Sequence, residues 1–217
     1  MTGQTSKARG PYAKTAAVRE RIIDAAIDVF AISGFRASTM KDIADRAGIS
    51  QRGLAHHFAS KFDLLSAVLS VREQESASLL APSPSGHPVD ALESMLEVIA
   101  DNNKRPGLVE LYSILAAEGT TEDHPAHADN RYRYDSLRQY FAVAFDALQA
   151  RGEIRSIQKP NELAASFLAL IEGLQLQWLY DRDAINMEAL LRAYLYSLIP
   201  GYEALKTAEA TRAQAER

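Results

Sequence analysis

Cysteine is absent from this 217-residue chain, and long apolar runs are absent as well. Without thiols the chain has no disulfide framework, no thiolate zinc site, no iron–sulfur cluster and no cysteine nucleophile. Residues 1–14 are polar and do not read as a signal peptide, and no stretch approaches the 18 uninterrupted apolar residues of a transmembrane helix. We therefore expect a cytoplasmic protein that makes no contact with a membrane.

Charge is distributed unevenly along the chain. The net charge is −4 overall, but residues 1–65 carry +4 and residues 66–217 carry −8. Hydrophobic residues make up 47% of the chain, which is ordinary for a globular protein with a folded core. A basic N-terminal segment on an acidic body favours contact between that segment and nucleic acid.

The apolar residues recur at helical spacing nearly throughout, which predicts an all-α protein of about nine helices. We predict a flexible basic arm over residues 1–14, a three-helix helix-turn-helix domain over 15–62, a helical body over 63–205 and a fraying tail over 206–217. Two short helices are predicted over residues 40–47 and 51–57, and the last two helices of the body over residues 160–180 and 187–205. Proline, glycine and serine clusters separate the helices.

Two short helices with a glycine-containing turn between them stand out in the segment TMKDIADRAGISQRGLAHHFASKFDLL, which begins at Thr39. Thr39 is a candidate N-cap for the first helix, and Ser50 is a candidate N-cap for the second. Gly48 supplies the left-handed residue that a sharp turn needs. This arrangement is typical of a helix-turn-helix.

The second short helix carries hydrogen-bonding side chains on its outward positions. Gln51, Arg52, His56 and His57 are suited to the major groove of DNA, because arginine pairs with guanine and glutamine with adenine. The alternative is an ordinary helical hairpin with a solvated polar face.

Residues 16–65 resemble the DNA-binding domain of the tetracycline-repressor (TetR) family. The resemblance rests on a long first helix followed by a dense set of residues at fixed spacing: Phe30, Gly34, Phe35, Ser38, Thr39, Ile43, Ala44, Ala47, Gly48, Ile49, Ser50, Leu54, Phe58, Lys61, Leu64 and Leu65. A weaker similarity to the penultimate helix of many members covers Glu172 to Asp181.

The resemblance implies double-stranded operator DNA as a partner. The DNA-binding residues expected on this basis are Thr39, Lys41, Ser50, Gln51, Arg52, Gly53, His56, His57 and Lys61. Thr39 and Lys61 are expected to contact phosphates, and Gln51, Arg52 and His56 to read bases. The chain departs from the family at Ala55, where members commonly carry a tyrosine that touches the DNA backbone, and at Gly53, where they often carry threonine or serine.

The resemblance also implies that the helical body binds a small organic effector and forms a homodimer. The effector-binding candidates are Met95, Tyr112, Phe141, Phe145, Phe167, Gln175 and Trp178, although such residues also form ordinary cores. Because few charges are placed to line the cavity, we expect a mainly apolar site for a bulky apolar or weakly polar molecule. The dimer-interface candidates, on the last two helices, are Phe167, Leu170, Leu174, Leu191, Tyr194, Leu195 and Leu198.

Other chemistry has little support in the sequence. His124 and His127 stand close together, but no third ligand is placed by spacing, so we expect no metal site. No catalytic constellation or cofactor-binding loop is recognisable, so we expect neither an enzyme nor a cofactor. The favoured function is a repressor released from its operator by a small molecule. The alternatives are a constitutive or activating regulator without an inducer, and a small-molecule-binding protein with a vestigial helix-turn-helix.

Overall fold

The computed structural model describes residues 11–79, 87–104 and 106–205, and within these ranges the chain is all-α with no strand. The prediction of an all-α fold is confirmed. The helices, in chain order, are α1 (Pro11–Ala37), α2 (Met40–Ala47), α3 (Gln51–His57), α4 (Lys61–Leu79), α5 (Pro88–Asn102), α6 (Pro106–Glu118), α7 (His127–Ala150), α8 (Pro160–Tyr180) and α9 (Met187–Leu198).

The chain divides into two compact units, Met1–Val71 and Arg72–Arg217. The division falls within α4, so this helix begins in the N-terminal unit and continues into the body. The sequence-based boundary between residues 62 and 63 lies near the start of the same helix.

The N-terminal unit forms around α1. Its buried residues include Ile22, Ala26 and Phe30, which lie four residues apart and so occupy one helical face. The second helix, α2, packs against α1 through the buried Ile43 and the small Ala44, which permits a close approach of the two backbones.

The predicted flexible arm over residues 1–14 is corrected at its C-terminal end. Because α1 begins at Pro11, residues 11–14 are helical. Proline is well suited to this first position, because the amide that it lacks has no partner inside the helix. The remainder of the arm, residues 1–10, lies outside the described residues, as does the predicted fraying tail over 206–217.

The core of the body is built by α5, α7, α8 and α9, and α7 packs along most of α8. Phe167 of α8 lies at the centre of an aromatic cluster. Its ring centroid is 5.1 Å from that of Phe141, 6.1 Å from that of Phe145 and 6.4 Å from that of Tyr194. The first two contacts are edge-to-face, an arrangement that aromatic quadrupoles favour. This cluster joins three helices into one core.

The predicted helix over residues 187–205 is interrupted. α9 ends at Leu198, and Gly201 adopts φ 82° before a short helical turn over residues 202–205. Pro200 explains the break, because its ring clashes with a continuing helix and it has no amide to donate.

One helix of the described residues, α8, is long and apolar enough to cross a membrane by length and composition alone. Its buried residues, however, pack inside the core of the body: Leu163, Ala164, Phe167, Leu168, Ile171, Leu174 and Trp178. Burial within the protein therefore accounts for part of the apolar character of α8.

Candidate DNA-binding surface and ligand cavity

Both short helices of the predicted helix-turn-helix have N-terminal caps. The Thr39 hydroxyl accepts from the amide of Asp42 and donates to its carboxylate, while the Thr39 amide donates back to that carboxylate at 3.0 Å. The Ser50 hydroxyl accepts from the amide of Gly53 at 3.0 Å. Between the helices, Gly48 has φ 66° and ψ 37°, the left-handed conformation that glycine adopts most easily. The caps and the turn hold α2 and α3 at a defined angle.

The polar face of α3 is exposed. Leu54 is buried and anchors the helix, while Gln51, Arg52 and His56 lie on the surface. Neither Gln51 nor Arg52 forms a side-chain hydrogen bond to another described residue. Their donors and acceptors are therefore available to the edges of base pairs.

A shallow depression follows α3, lined by Ser50, Arg52, Gly53, Ala55, His56 and His57. Two of these lining residues are small, since Gly53 has no side chain and Ala55 has only a methyl group. A Cβ atom at residue 53 would lie 3.3 Å from the Ser50 hydroxyl oxygen, a tight contact with the helix cap. His57 is half-buried, and its carbonyl accepts from Arg19 at 3.4 Å. The small residues thus permit a close approach of a ligand to the α3 backbone.

The expected phosphate-binding residues lie in different surroundings. Lys41 is exposed on α2 and forms an ion pair with Asp45 at 2.9 Å, which raises the pKa of Lys41. The Thr39 hydroxyl is occupied by Asp42, and this hydrogen bond lowers the pKa of the Asp42 carboxyl. Lys61 directs its ammonium onto backbone carbonyls at the end of α1, and the expected phosphate contact stays a prediction.

A cavity of about 210 Å³ lies among α6, α7 and α8 in the body. It is lined by Tyr112, Ser113, Ala116, Ala117, Asn130, Arg133, Tyr134, Glu172, Gln175 and Leu176. The surface that lines this cavity is mainly apolar, as predicted, but a guanidinium and a carboxylate, those of Arg133 and Glu172, also line it. A wider depression of about 590 Å³ between α5 and α7 has Gln139 and the exposed Val143 among its lining residues, so it is a surface groove.

Two of the predicted effector-binding residues, Tyr112 and Gln175, line the 210 Å³ cavity. The others are buried in the hydrophobic core and line neither depression: Met95, Phe141, Phe145, Phe167 and Trp178. The prediction missed Asn130, Arg133 and Tyr134, which share one face of α7 because they are three and four residues apart. The polar, tyrosine-rich run beginning at Asn130 was the available signal.

The predicted dimer seam is also corrected. Five of its residues are buried within the single chain: Phe167, Leu174, Leu191, Leu195 and Leu198. The remaining two, Leu170 and Tyr194, are half-buried against the same core. The exposed faces of α8 and α9 carry different residues, among them Leu176 at 51% exposure and Leu190 at 44%.

The two histidines considered for a metal site stabilise the connection between α6 and α7. His124 is buried, and its Nδ1 accepts from the amide of Ala126 at 3.1 Å. The Nδ1 of His127 lies 2.9 Å from the carbonyl oxygen of Gly119. Among the described residues, no group of three or more histidine or acidic side chains is placed to hold a metal ion.

Comparison with known proteins agrees with this geometry. Residues 22–68 match the model of bacterial regulatory proteins of the tetR family, and residues 88–200 match the C-terminal domain of BetI-type transcriptional repressors. The chain is 27% identical over 176 residues to the HTH-type transcriptional regulator SrpR of Pseudomonas putida, which covers 81% of this chain and 82% of the relative.

Solved structures show the same fold. A putative transcriptional regulator from Saccharomonospora viridis in complex with choline has a TM-score of 0.67 at 21% identity, covering 85% of this chain and 98% of that one. SmeT in complex with triclosan has a TM-score of 0.68 at 19% identity, covering 86% and 94%. With two family models spanning the capped helix-turn-helix and most of the body, the chain belongs to the tetR family of bacterial transcriptional regulators and carries a BetI-type C-terminal domain.

Proposed function

We propose that this regulator is a cytoplasmic, homodimeric repressor that acts by binding rather than by catalysis. It places α3 in the major groove of an operator and leaves the DNA when a small molecule occupies the body. The observation that carries the DNA-binding part is the exposed polar face of α3 on a helix-turn-helix whose caps and turn are complete.

Base reading is assigned to the N-terminal part of α3 and to His56. Gln51 and Arg52 are exposed at the first turn, the end of a recognition helix that approaches base edges. Arg52 matches the paired acceptors of guanine, and Gln51 matches adenine. At Ala55, where family members commonly carry a tyrosine that touches the DNA backbone, this chain has a depression beside Gly53. The depression brings the helix nearer to the DNA.

The test uses the operator duplex that the wild-type protein selects from random-sequence DNA. Arg52→Ala is expected to weaken operator binding by about 1–3 kcal/mol and to relax the preference at one base pair. Lys41→Ala serves as the control, because loss of a phosphate contact weakens binding to all sequences alike. Uniform weakening by Arg52→Ala, with the sequence preference intact, would contradict the assignment.

Dimerisation is assigned to the exposed stripes of α8 and α9. These stripes consist of small or apolar residues at helical spacing: Ala165, Ala169 and Leu176 on α8, and Leu190 and Ala193 on α9. Two copies of such a helix pair related by a two-fold axis form a four-helix bundle. A dimer also supplies the two half-site contacts that a rare genomic operator requires.

The mass measured by light scattering tests whether the dimer forms through the exposed stripes or through the buried residues predicted from the sequence. Leu190→Glu is expected to give a folded monomer of the 23.9 kDa chain mass with lost operator affinity. Leu195→Glu, the contrasting variant, is expected to unfold the body because it buries a charge in the core. A wild-type mass of one chain would refute the dimer.

The effector site is assigned to the 210 Å³ cavity. Drug-sized ligands commonly occupy about 300–1,000 Å³, so this cavity favours a compact molecule. Arg133 and Glu172 provide charges of both signs, while Tyr112 and Gln175 provide hydrogen-bonding groups beside Ala116. A compact molecule that carries polar or charged groups on an apolar body therefore fits better than the bulky one expected from sequence. Complexes of two structural neighbours with choline and with triclosan support a small-molecule site in this fold.

A panel of small polar metabolites, choline included, is screened for release of operator DNA and for a change in the fluorescence of Trp178. For a compound that scores in both, Gln175→Leu and Tyr112→Phe are expected to raise the concentration needed for release without changing affinity for DNA alone. Tyr180→Phe is the matched control, because Tyr180 is exposed and does not line the cavity. Wild-type responses of both cavity variants would place the site elsewhere, and a panel without any response would favour a constitutive regulator.

A further inference from the structure

Lys61, the first residue of α4, forms several polar contacts with other residues of the N-terminal unit. Its Nζ donates to the carbonyl oxygens of Phe35 at 2.5 Å, Ser38 at 2.7 Å and Arg36 at 3.2 Å. The same ammonium lies 4.5 Å from the centroid of the Phe35 ring. The resemblance to the family implied a phosphate contact for this residue, but the geometry directs it inward.

These contacts use the full donor capacity of the side chain, because a lysine ammonium has three N–H groups. Its acceptors are at the C-terminal end of α1 and in the link to α2, where carbonyls have no partner inside a helix. A cation is also favoured at a helix C-terminus by the helix dipole. Turning Lys61 toward a DNA phosphate would break three hydrogen bonds and leave these carbonyls without that donor.

The link held by Lys61 leads directly into the helix-turn-helix. Ser38 is buried, and its hydroxyl donates to the carbonyl of Phe35 at 2.9 Å, so Phe35 receives hydrogen bonds from both side chains. The next residue, Thr39, is the N-cap of α2. The position of the Ser38 carbonyl therefore sets where α2 begins.

We infer that Lys61 is a positioning residue for DNA binding: it ties the start of α4 to the link between α1 and α2 and holds α2 in place, without contacting a phosphate. The inference rests on the proposed DNA-binding function.

Salt dependence separates this role from a phosphate contact. Lys61→Met retains the length of the side chain and removes its donors and charge. We expect operator affinity to fall about tenfold for every sequence. The slope of log affinity against log salt should not change, because DNA binding still releases the same number of counterions. The control is Lys41→Met on the exposed face of α2, for which the slope is expected to fall by about one.

Hydrogen exchange supplies a readout that a phosphate contact does not move. In the DNA-free protein, Lys61→Met is expected to accelerate exchange of the Asp42 and Ile43 amides, while Lys41→Met leaves them unchanged. Ser38→Ala, which retains the lysine charge, is expected to weaken binding with an unchanged slope and keeps the test valid if Lys61→Met fails to fold. The inference would be overturned if the salt slope of Lys61→Met fell by about one. It would also be overturned if Lys61→Met and Ser38→Ala both had the affinity and the exchange rates of the wild-type protein. A wild-type protein that selects no sequence would instead refute the proposed function.

Discussion

The N-terminal unit and the body use polar side chains over different distances along the chain. In the N-terminal unit, the caps of α2 and α3 join residues only three apart, Thr39 with Asp42 and Ser50 with Gly53. In the body, Arg192 of α9 forms a two-pronged pair with Glu93 of α5, 99 residues earlier, at 2.8 and 3.1 Å. The helix caps of the first region are therefore local, whereas the pair in the second region joins helices that are far apart along the chain.

This difference explains which features were visible in the sequence. A helix cap is readable because its donor and acceptor lie within one turn of the chain. The partner of a buried aromatic ring or of Arg192 is set by how distant helices meet, and a helical pattern of apolar residues only marks a buried face. Four substitutions test the contrast between the two regions, in order of decreasing effect.

Phe167→Ala is expected to have the largest effect, because it removes the centre of the aromatic cluster. We expect the free energy of unfolding of the body to fall by about 3–5 kcal/mol. The measurement is urea unfolding monitored by the fluorescence of Trp178. Tyr132→Ala, at a residue that is 66% exposed, is the control and should change stability by no more than about 0.5 kcal/mol. A stable Phe167→Ala protein that had lost only its effector response would restore Phe167 to the ligand site.

Arg192→Met is expected to destabilise the body by roughly 3 kcal/mol, since it leaves the largely buried Glu93 without its cation. Burial opposes the charge on Arg192, but the hydrogen bonds from Glu93 and Glu188 outweigh it and raise the pKa of Arg192. The double variant Arg192→Met, Glu93→Leu should recover part of the loss in a double-mutant cycle. Additive losses in the cycle would show that the two side chains do not interact.

Ser50→Ala is expected to cost about 1 kcal/mol of local stability in α3, because the amide of Gly53 loses its cap. The effect should remain local, with faster hydrogen exchange at the Gly53 amide and an unchanged unfolding midpoint of the body. Ser50→Thr retains the hydroxyl and serves as the control. Equal exchange in wild-type protein and Ser50→Ala would show that the cap does not stabilise α3.

The smallest expected effect is the pH dependence of the α2 cap. Hydrogen bonds from Thr39 lower the pKa of the Asp42 carboxyl below its ordinary value of 3.8. This pair therefore stabilises α2 above that value, and the contribution is lost as the pH falls through the lowered pKa. An NMR titration should find Asp42 below 3.8 in wild-type protein and closer to it in Thr39→Val. An ordinary pKa in wild-type protein would show that the capping box is not formed in solution.

Much of the fold could be predicted from the sequence. The bounds of α2, α3 and α8 agree with the predicted residues 40–47, 51–57 and 160–180. Each has local signals, such as the caps Thr39 and Ser50 or a proline at the first position. The break after Leu198 does not follow from the apolar pattern, because a wide apolar stripe continues across Pro200.

The candidate sites could be predicted only in part, for the same physical reason. By itself the sequence determined an all-α chain, the helix-turn-helix and the polar face of α3, because caps, a left-handed glycine and the 3.6-residue period act within a few residues. Only the tertiary structure decided that Phe167 and Leu195 belong to the core, that Arg133 and Glu172 line the cavity, and that Lys61 is engaged by the end of α1. Burial and donor occupancy depend on helices that meet across long stretches of chain, and no local pattern specifies which of them will meet.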